Sequence, residues 1–190
     1  MTRVYFVRHA QPNFDNHNDA LRELTPKGTQ DRSLVTNFLK NRQIDVAVSS
    51  PYKRAIDTIR EFTDLAGLEI ELVGGFRERR VDSCWIEDFS AFARRQWADF
   101  SFKLSDGECL GEVQQRNVAA LKALLERHSG KNIVVGSHGT ALSTVLNYYD
   151  RSYGYQDFAD MKDKMPWIVK FTFDGSRLVG WETVEMGEKQ

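Results

Sequence analysis

The sequence predicts an α/β fold, a mostly parallel sheet with helices on both faces and an antiparallel edge. Three observations carry this. Short β-branched or aromatic runs alternate with longer stretches whose apolar residues recur at helical spacing. A hydroxyl residue precedes proline at two helix entries, Thr25-Pro26 and Ser50-Pro51. Near the end, Asp174-Gly175 separates two strand-like runs, a hairpin signal. The 190 residues suffice for a single domain over 1–190 with its own core.

Residues 4–7 read as a buried strand, and the polar, Asn- and Asp-rich stretch 10–24 as a loop. Thr25 then caps a helix that buries Leu34, Val35, Phe38 and Leu39. Residues 44–48 form a second strand. The Ser50-Pro51 entry opens a helix carrying Ala55, Ile59 and Phe62 on one face, stopped at Gly67. Residues 70–73 are a third strand, and the aromatic-rich stretch 88–102 is helical. Residues 112–128 form an amphipathic helix, with Val118, Leu121, Leu124 and Leu125 on one side and Gly130 after it. A strand at 133–135 leads into a helix over 140–149, and 167–173 and 178–184 make the closing hairpin. Strand–helix alternation of this kind gives a parallel sheet covered on both sides.

Composition excludes several classes. With 26 basic and 27 acidic residues the formal charge is −1, far from the basic excess of a nucleic-acid-coating protein. No apolar run reaches the length of a membrane span, and no signal-peptide pattern precedes Arg8. Cys84 and Cys109 are too few for a disulfide framework or a four-cysteine zinc site, and read as reduced thiols. A soluble, cytoplasmic protein is expected.

The chemistry-bearing residues gather by topology. Arg8-His9 follows the first strand, Arg54 sits early in the helix after the second, Glu78 follows the third, and His138 follows the strand at 133–135. Open α/β sheets bind ligands at the carboxyl ends of their strands. Arginine forks match phosphate oxygens. A neutral imidazole is a nucleophile able to form a covalent intermediate. A second histidine, when protonated, neutralises phosphoryl oxygens. The helices near Ser50 and Thr140 aim positive ends at an anion. A carboxylic acid protonates a leaving oxygen. The set reads as phosphoryl transfer through phosphohistidine, with arginines supplying the electrostatics that a metal supplies elsewhere.

Five segments carry a resemblance. They are Val-Arg-His-Ala at 7–10, Leu-Thr-Pro-Lys-Gly at 24–28, Ser-Ser-Pro-Tyr-Lys-Arg-Ala at 49–55, Phe-Arg-Glu-Arg at 76–79 and Gly-Ser-His-Gly-Thr at 136–140. In this order they resemble the histidine phosphatase superfamily, the phosphoglycerate mutase-like group. The resemblance implies a three-layer α/β/α sandwich. It implies His9 as the phosphorylated nucleophile, Arg8, Arg54 and His138 as the phosphate pocket, and Glu78 as the general acid/base. It implies no metal and no cofactor.

The chain departs from the family pattern in one stretch. Ala10 replaces a commoner glycine, Pro12 stands where mutases carry a hydroxyl, and Asp15 falls where an asparagine usually contacts phosphate. Asn13 or Asn16 is a candidate replacement for that contact. Glu108 is a rival acid, read as a helix-entry or supporting residue, and Glu78 has the alternative of a surface ion pair within its Arg-rich run. His17 is read as part of the loop over the pocket, His128 as a helix end. Arg94, Arg95 and the aromatics Trp85, Phe89, Phe92, Trp97, Phe100 and Phe102 are either helix packing or a substrate cap.

The function expected is a metal-independent phosphomonoesterase acting on a small phosphorylated metabolite. Two alternatives stand beside it. One is a phosphoglycerate mutase-type transfer, disfavoured by the short chain and Pro12. The other is a catalytically weak phosphoester-binding regulatory protein. No nucleic-acid or membrane partner is expected, and the oligomeric state is open, a homodimer included.

Overall fold

The computed structural model describes residues 1–83 and 85–185. Six strands form one sheet: β1 (Thr2–Arg8), β2 (Val46–Ser49), β3 (Ile70–Leu72), β4 (Asn132–Ser137), β5 (Trp167–Asp174) and β6 (Arg177–Val184). Their order is β3-β2-β4-β1-β5-β6. The pairs β3–β2, β2–β4 and β4–β1 are parallel, while β1–β5 and β5–β6 are antiparallel. The helices are α1 (Pro26–Leu39), α2 (Lys53–Ala66), α3 (Phe89–Ala98), α4 (Leu110–Arg127), α5 (Gly139–Tyr149) and α6 (Tyr155–Met161).

Alternation along the strands splits the core into two layers. Val4, Phe6, Ile133 and Val135 pack on one face with Leu121, Leu124, Leu142 and Leu146 from α4 and α5. Tyr5, Val7 and Val134 face the other way, against Val35 and Leu39 of α1 and Ile59 and Phe62 of α2. The result is the α/β/α sandwich expected. None of the helices among the described residues is long and apolar enough to cross a membrane.

Local signals hold at most element ends. Thr25 caps α1, accepting a hydrogen bond from Gly28 N at 3.0 Å. Gly28 itself must stay small, because a Cβ there would lie 2.2 Å from Gln11 O. Gly67 ends α2 with φ of 67°. Cys109 caps α4, its Sγ accepting from Glu112 N at 3.4 Å while Glu112 Oε2 accepts from Cys109 N at 2.9 Å. Cys109 is a buried free thiol; Cys84 lies outside the described residues.

Other expectations need correcting. Ser50-Pro51 does not cap α2. A bend at Pro51 and Tyr52 delays the helix to Lys53, Tyr52 occupies the cap position without a side-chain bond, and Ser50 is used elsewhere. The strand expected at 44–48 runs Val46–Ser49, and Val73 falls outside β3. The α6 helix was not foreseen. It is seven residues long, with Phe158 and Met161 buried and Gly154 N bonded to Asp157 Oδ2 at 2.8 Å.

Candidate active site

Parallel pairing in register brings three strand ends to one rim. Arg8 lies opposite Ser137, and Val7 and Ser49 both lie opposite Gly136. Backbone bonds continue the alignment past the strands, from His9 N to Ser137 O at 3.1 Å and from Ser50 N to Gly136 O at 2.9 Å. Gly136 permits the close approach, since a Cβ would fall 2.6 Å from Ser49 Oγ and 3.0 Å from Ala55 O.

His9 is buried at this rim. Its Nδ1 lies 2.8 Å from Ala10 O. A carbonyl only accepts, so Nδ1 carries the proton and Nε2 keeps its lone pair. Burial, then the charges of Arg54 and Arg8, hold the imidazole well below its ordinary value, opposed by the bond to Ala10 O. The His138 ring stands 5.4 Å from it, edge to face. His138 Nε2 shares a 2.7 Å hydrogen bond with Ser50 Oγ, and its buried Nδ1 has no partner among the described residues. Burial, Arg54 and His9 push His138 well below the ordinary histidine value too. Both imidazoles are thus held toward their neutral form.

The arginines are anchored from outside. Arg8 Nη1 donates to Met161 O at 2.7 Å and Lys164 O at 3.0 Å, while its buried Nε is unpartnered among the described residues and lies beneath Gly139. Burial lowers Arg8 to about 10, against the raising effect of Glu78 and Asp163. Arg54, in the first turn of α2 and 2% exposed, donates from Nη2 to Asp19 Oδ1 at 3.0 Å and from Nη1 to Asp19 O.

Glu78 meets the start of α5. Its Oε2 accepts from Thr140 N and its Oε1 from Ala141 N, each at 3.0 Å, and Oε1 also accepts from Arg79 N at 2.7 Å. The Glu78 carboxyl thus takes the first free N–H groups of this helix end. Arg116 holds the loop beneath, donating to Gly75 O, Arg77 O and Glu78 O. Glu108 clamps that arginine and also accepts from Arg77 and Arg80 N. Burial works to raise Glu108, and the bonds and charges of Arg116, Arg80 and Arg77 outweigh it, so its carboxyl sits below its ordinary value. Glu108 supports the loop and does not enter the helix cap.

The profile of the histidine phosphatase superfamily (branch 1) matches residues 4–183. The chain belongs to this superfamily. Its chemistry is that of a phosphatase or mutase. A probable phosphoglycerate mutase from Yersinia pestis (strain Pestoides F) is 28% identical over 161 residues, covering 77% of this chain and 74% of the relative. Two solved structures share the fold. Phosphoserine phosphatase from Entamoeba histolytica with 3-phosphoglyceric acid superposes with a TM-score of 0.77 at 21% identity, over 98% of this chain and 99% of that one. A mycobacterial glucosyl-3-phosphoglycerate phosphatase with VO3 gives 0.77 at 17% identity, over 95% and 96%.

The stretch where this member of the superfamily departs from the family pattern is internally satisfied. Asn13 and Asn16 both donate to Glu23, at 2.7 Å each, and those amides hold Glu23 down to about 2. Asp15 is exposed, and Pro12 is buried and bridged to Leu24. Two residues that sequence motifs missed stand in the site, Asp19 and Arg22. Arg22 is 7% exposed and donates to Asp19 Oδ1 at 3.1 Å. Their only sequence signal is a charge pair at i, i+3 within a loop, which is common. His17 stacks on Trp85 with ring centroids 4.4 Å apart and planes at 7°. The rest of the aromatic segment packs: Phe92 against Phe102 and Trp97 against Phe158, with Arg94 over Tyr155 and Arg95 over Phe102. His128 ends α4, its N–H bonded to Leu124 O.

Proposed function

We propose that this chain is a metal-independent phosphomonoesterase working through phosphohistidine on a small phosphorylated metabolite. The observation that carries the reading is the His9 ring, neutral, with Nδ1 committed to Ala10 O and Nε2 left with its lone pair beside buried arginines. Nε2 attacks phosphorus, an N–P bond forms, and the P–O bond to the leaving alcohol breaks. Arg8, Arg54 and the unpartnered Nδ1 of His138 take the phosphoryl oxygens, so fixed donors meet the charge that develops. Glu78 gives a proton to the leaving oxygen, then accepts one from the water that cleaves the N–P bond. Its place at the α5 entry, bonded to Thr140 N and Ala141 N just past His138, supports that role.

Hydrolysis is preferred over mutase transfer because Pro12 brings no hydroxyl and Asn13 and Asn16 are committed to Glu23. The curated relative's name keeps the mutase as the second reading. The whole chain acts as one domain in this proposal, supported by its single sheet, and its setting is the cytoplasm, on the sequence grounds above.

The test is phosphate release from p-nitrophenyl phosphate with EDTA present, from acid to mildly alkaline pH, comparing the wild type with His9→Ala. Release that survives EDTA and falls by about a thousand-fold or more in the variant is the expected result. Isomerisation of a phosphorylated sugar acid that depends on a bisphosphorylated primer, without phosphate release, points to the mutase. Binding without any release points to a regulatory protein.

A further inference from the structure

Arg22 is the third guanidinium of the site. It lies in the loop between Pro12 and Leu24, with Nε bonded to Asn16 O at 2.8 Å and Nη1 to Asp19 Oδ1 at 3.1 Å. The same Asp19 Oδ1 accepts from Arg54 Nη2 at 3.0 Å. One carboxylate oxygen therefore spans two arginines. Burial lowers Arg22 below its ordinary value, Asp19 opposes this, and the Arg54 charge lowers it further. The charge of Arg22 also reaches His9. Two cations thus converge on the nucleophile with one shared monoanion, and one positive charge is left over. A phosphoryl dianion matches both.

The three partners differ in their grip. The Arg54 and Arg22 side chains are 3% and 9% exposed, whereas Asp19 is 40% exposed. Asp19 can turn to water at small desolvation cost; the arginines cannot. Arg22 has other supports that remain when Asp19 leaves. Its guanidinium lies over the rings of Phe14 at 5.6 Å and Trp85 at 5.9 Å, and the His17–Trp85 stack ties its loop to the segment after Glu78. Two of its five N–H donors make the bonds above, and the other three have no hydrogen-bond partner among the described residues.

We propose that Arg22 is a phosphate-binding residue of this site, and that Asp19 is the exchangeable counter-ion that holds Arg22 and Arg54 together until a phosphoryl dianion replaces it between them. This rests on the phosphohistidine reading for its function, and on the Arg22–Asp19–Arg54 geometry alone for its binding step.

The experiment measures inorganic phosphate binding by calorimetry, and phosphate inhibition of p-nitrophenyl phosphate hydrolysis, in wild type, Arg22→Gln, Arg22→Lys and Asp19→Asn. Arg22→Gln weakens phosphate about ten-fold or more, and Arg22→Lys recovers part of that. Asp19→Asn tightens phosphate several-fold, because a neutral amide competes poorly for the two guanidiniums; a gain of affinity cannot come from misfolding. Weaker phosphate binding in Asp19→Asn makes the pair a loop clasp and overturns the proposal. So does an unchanged phosphate affinity in Arg22→Gln with a raised KM for the ester, which would place Arg22 on the leaving group. Calorimetry needs no turnover, so an absence of hydrolysis in the wild type defeats the phosphatase reading while the binding result still decides this one. Absence of phosphate binding in the wild type overturns it.

Discussion

Ser50 Oγ stands 2.7 Å from His138 Nε2 and also accepts from Tyr52 N at 3.2 Å. A residue whose sequence context reads as a helix cap thus orients an imidazole instead. Ser50→Ala removes the group that fixes the ring and leaves a buried nitrogen unsatisfied. The expected outcome is a fall in kcat of about ten-fold, with a smaller change in KM and a loss of about 1–2 kcal/mol in stability. Steady-state kinetics with urea denaturation checks both.

The two histidines set a pH dependence of stability. Both are held well below their ordinary value of 6.5 by burial and by neighbouring arginines. Above 6.5 they are neutral folded and unfolded, and their contribution is fully present. As pH falls below 6.5 the unfolded chain binds protons that the folded chain refuses, so stability declines toward the folded values. Urea midpoints measured against pH should fall on acidification, and the slope should flatten in His138→Gln. The acid limb of kcat/KM should lie below the ordinary histidine range.

Glu108 is the hub beneath Glu78. Glu108→Gln keeps the shape of the side chain but removes the charge that binds Arg116 and Arg77. With the pair partly solvated, a loss of about 2 kcal/mol is expected. Because Arg116 holds the carbonyls at Gly75, Arg77 and Glu78, kcat should fall more than KM rises. Chemical denaturation and steady-state kinetics on one preparation measure both, and an unchanged kcat would remove Glu108 from the support of the site.

Gly136 marks how tightly the rim is packed. Gly136→Ala puts a methyl group against Ser49 Oγ and the Ala55 carbonyl. The expected cost is about 1–3 kcal/mol, read as a lowered Tm. Activity should fall with it, since His138 follows two residues later.

Much of the fold was legible because its causes are local. The β-branched runs of β1 and β4, the Thr25-Pro26 entry of α1 and the Gly67 stop depend on neighbours in sequence. The gathering of His9, Arg54, Glu78 and His138 into the candidate site was legible too, since each follows a strand whose end the topology places. What was not legible depends on long-range pairing. Ser50 is drawn from its helix by a histidine 88 residues away. Glu78 answers N–H groups 62 and 63 residues ahead. Asp19 and Arg22 gain their meaning only from how the loop after Pro12 folds onto Arg54. The short α6 is held by burial of Phe158 and Met161, not by a strong pattern of its own.

The position of β1 has a consequence for how the chain reaches its native state. Of the six strands β1 comes first in sequence, yet it is an inner strand, bordered by β4 on one side and β5 on the other. Neither neighbour exists until residues 132–137 and 167–174 have been made. An emerging chain therefore carries an apolar strand with both hydrogen-bonding edges open until those residues follow, and His9 at its tip has no pocket until β4 arrives. Closure of the sheet depends on pairing across more than a hundred residues, and that interval is when the strand most needs protection from aggregation.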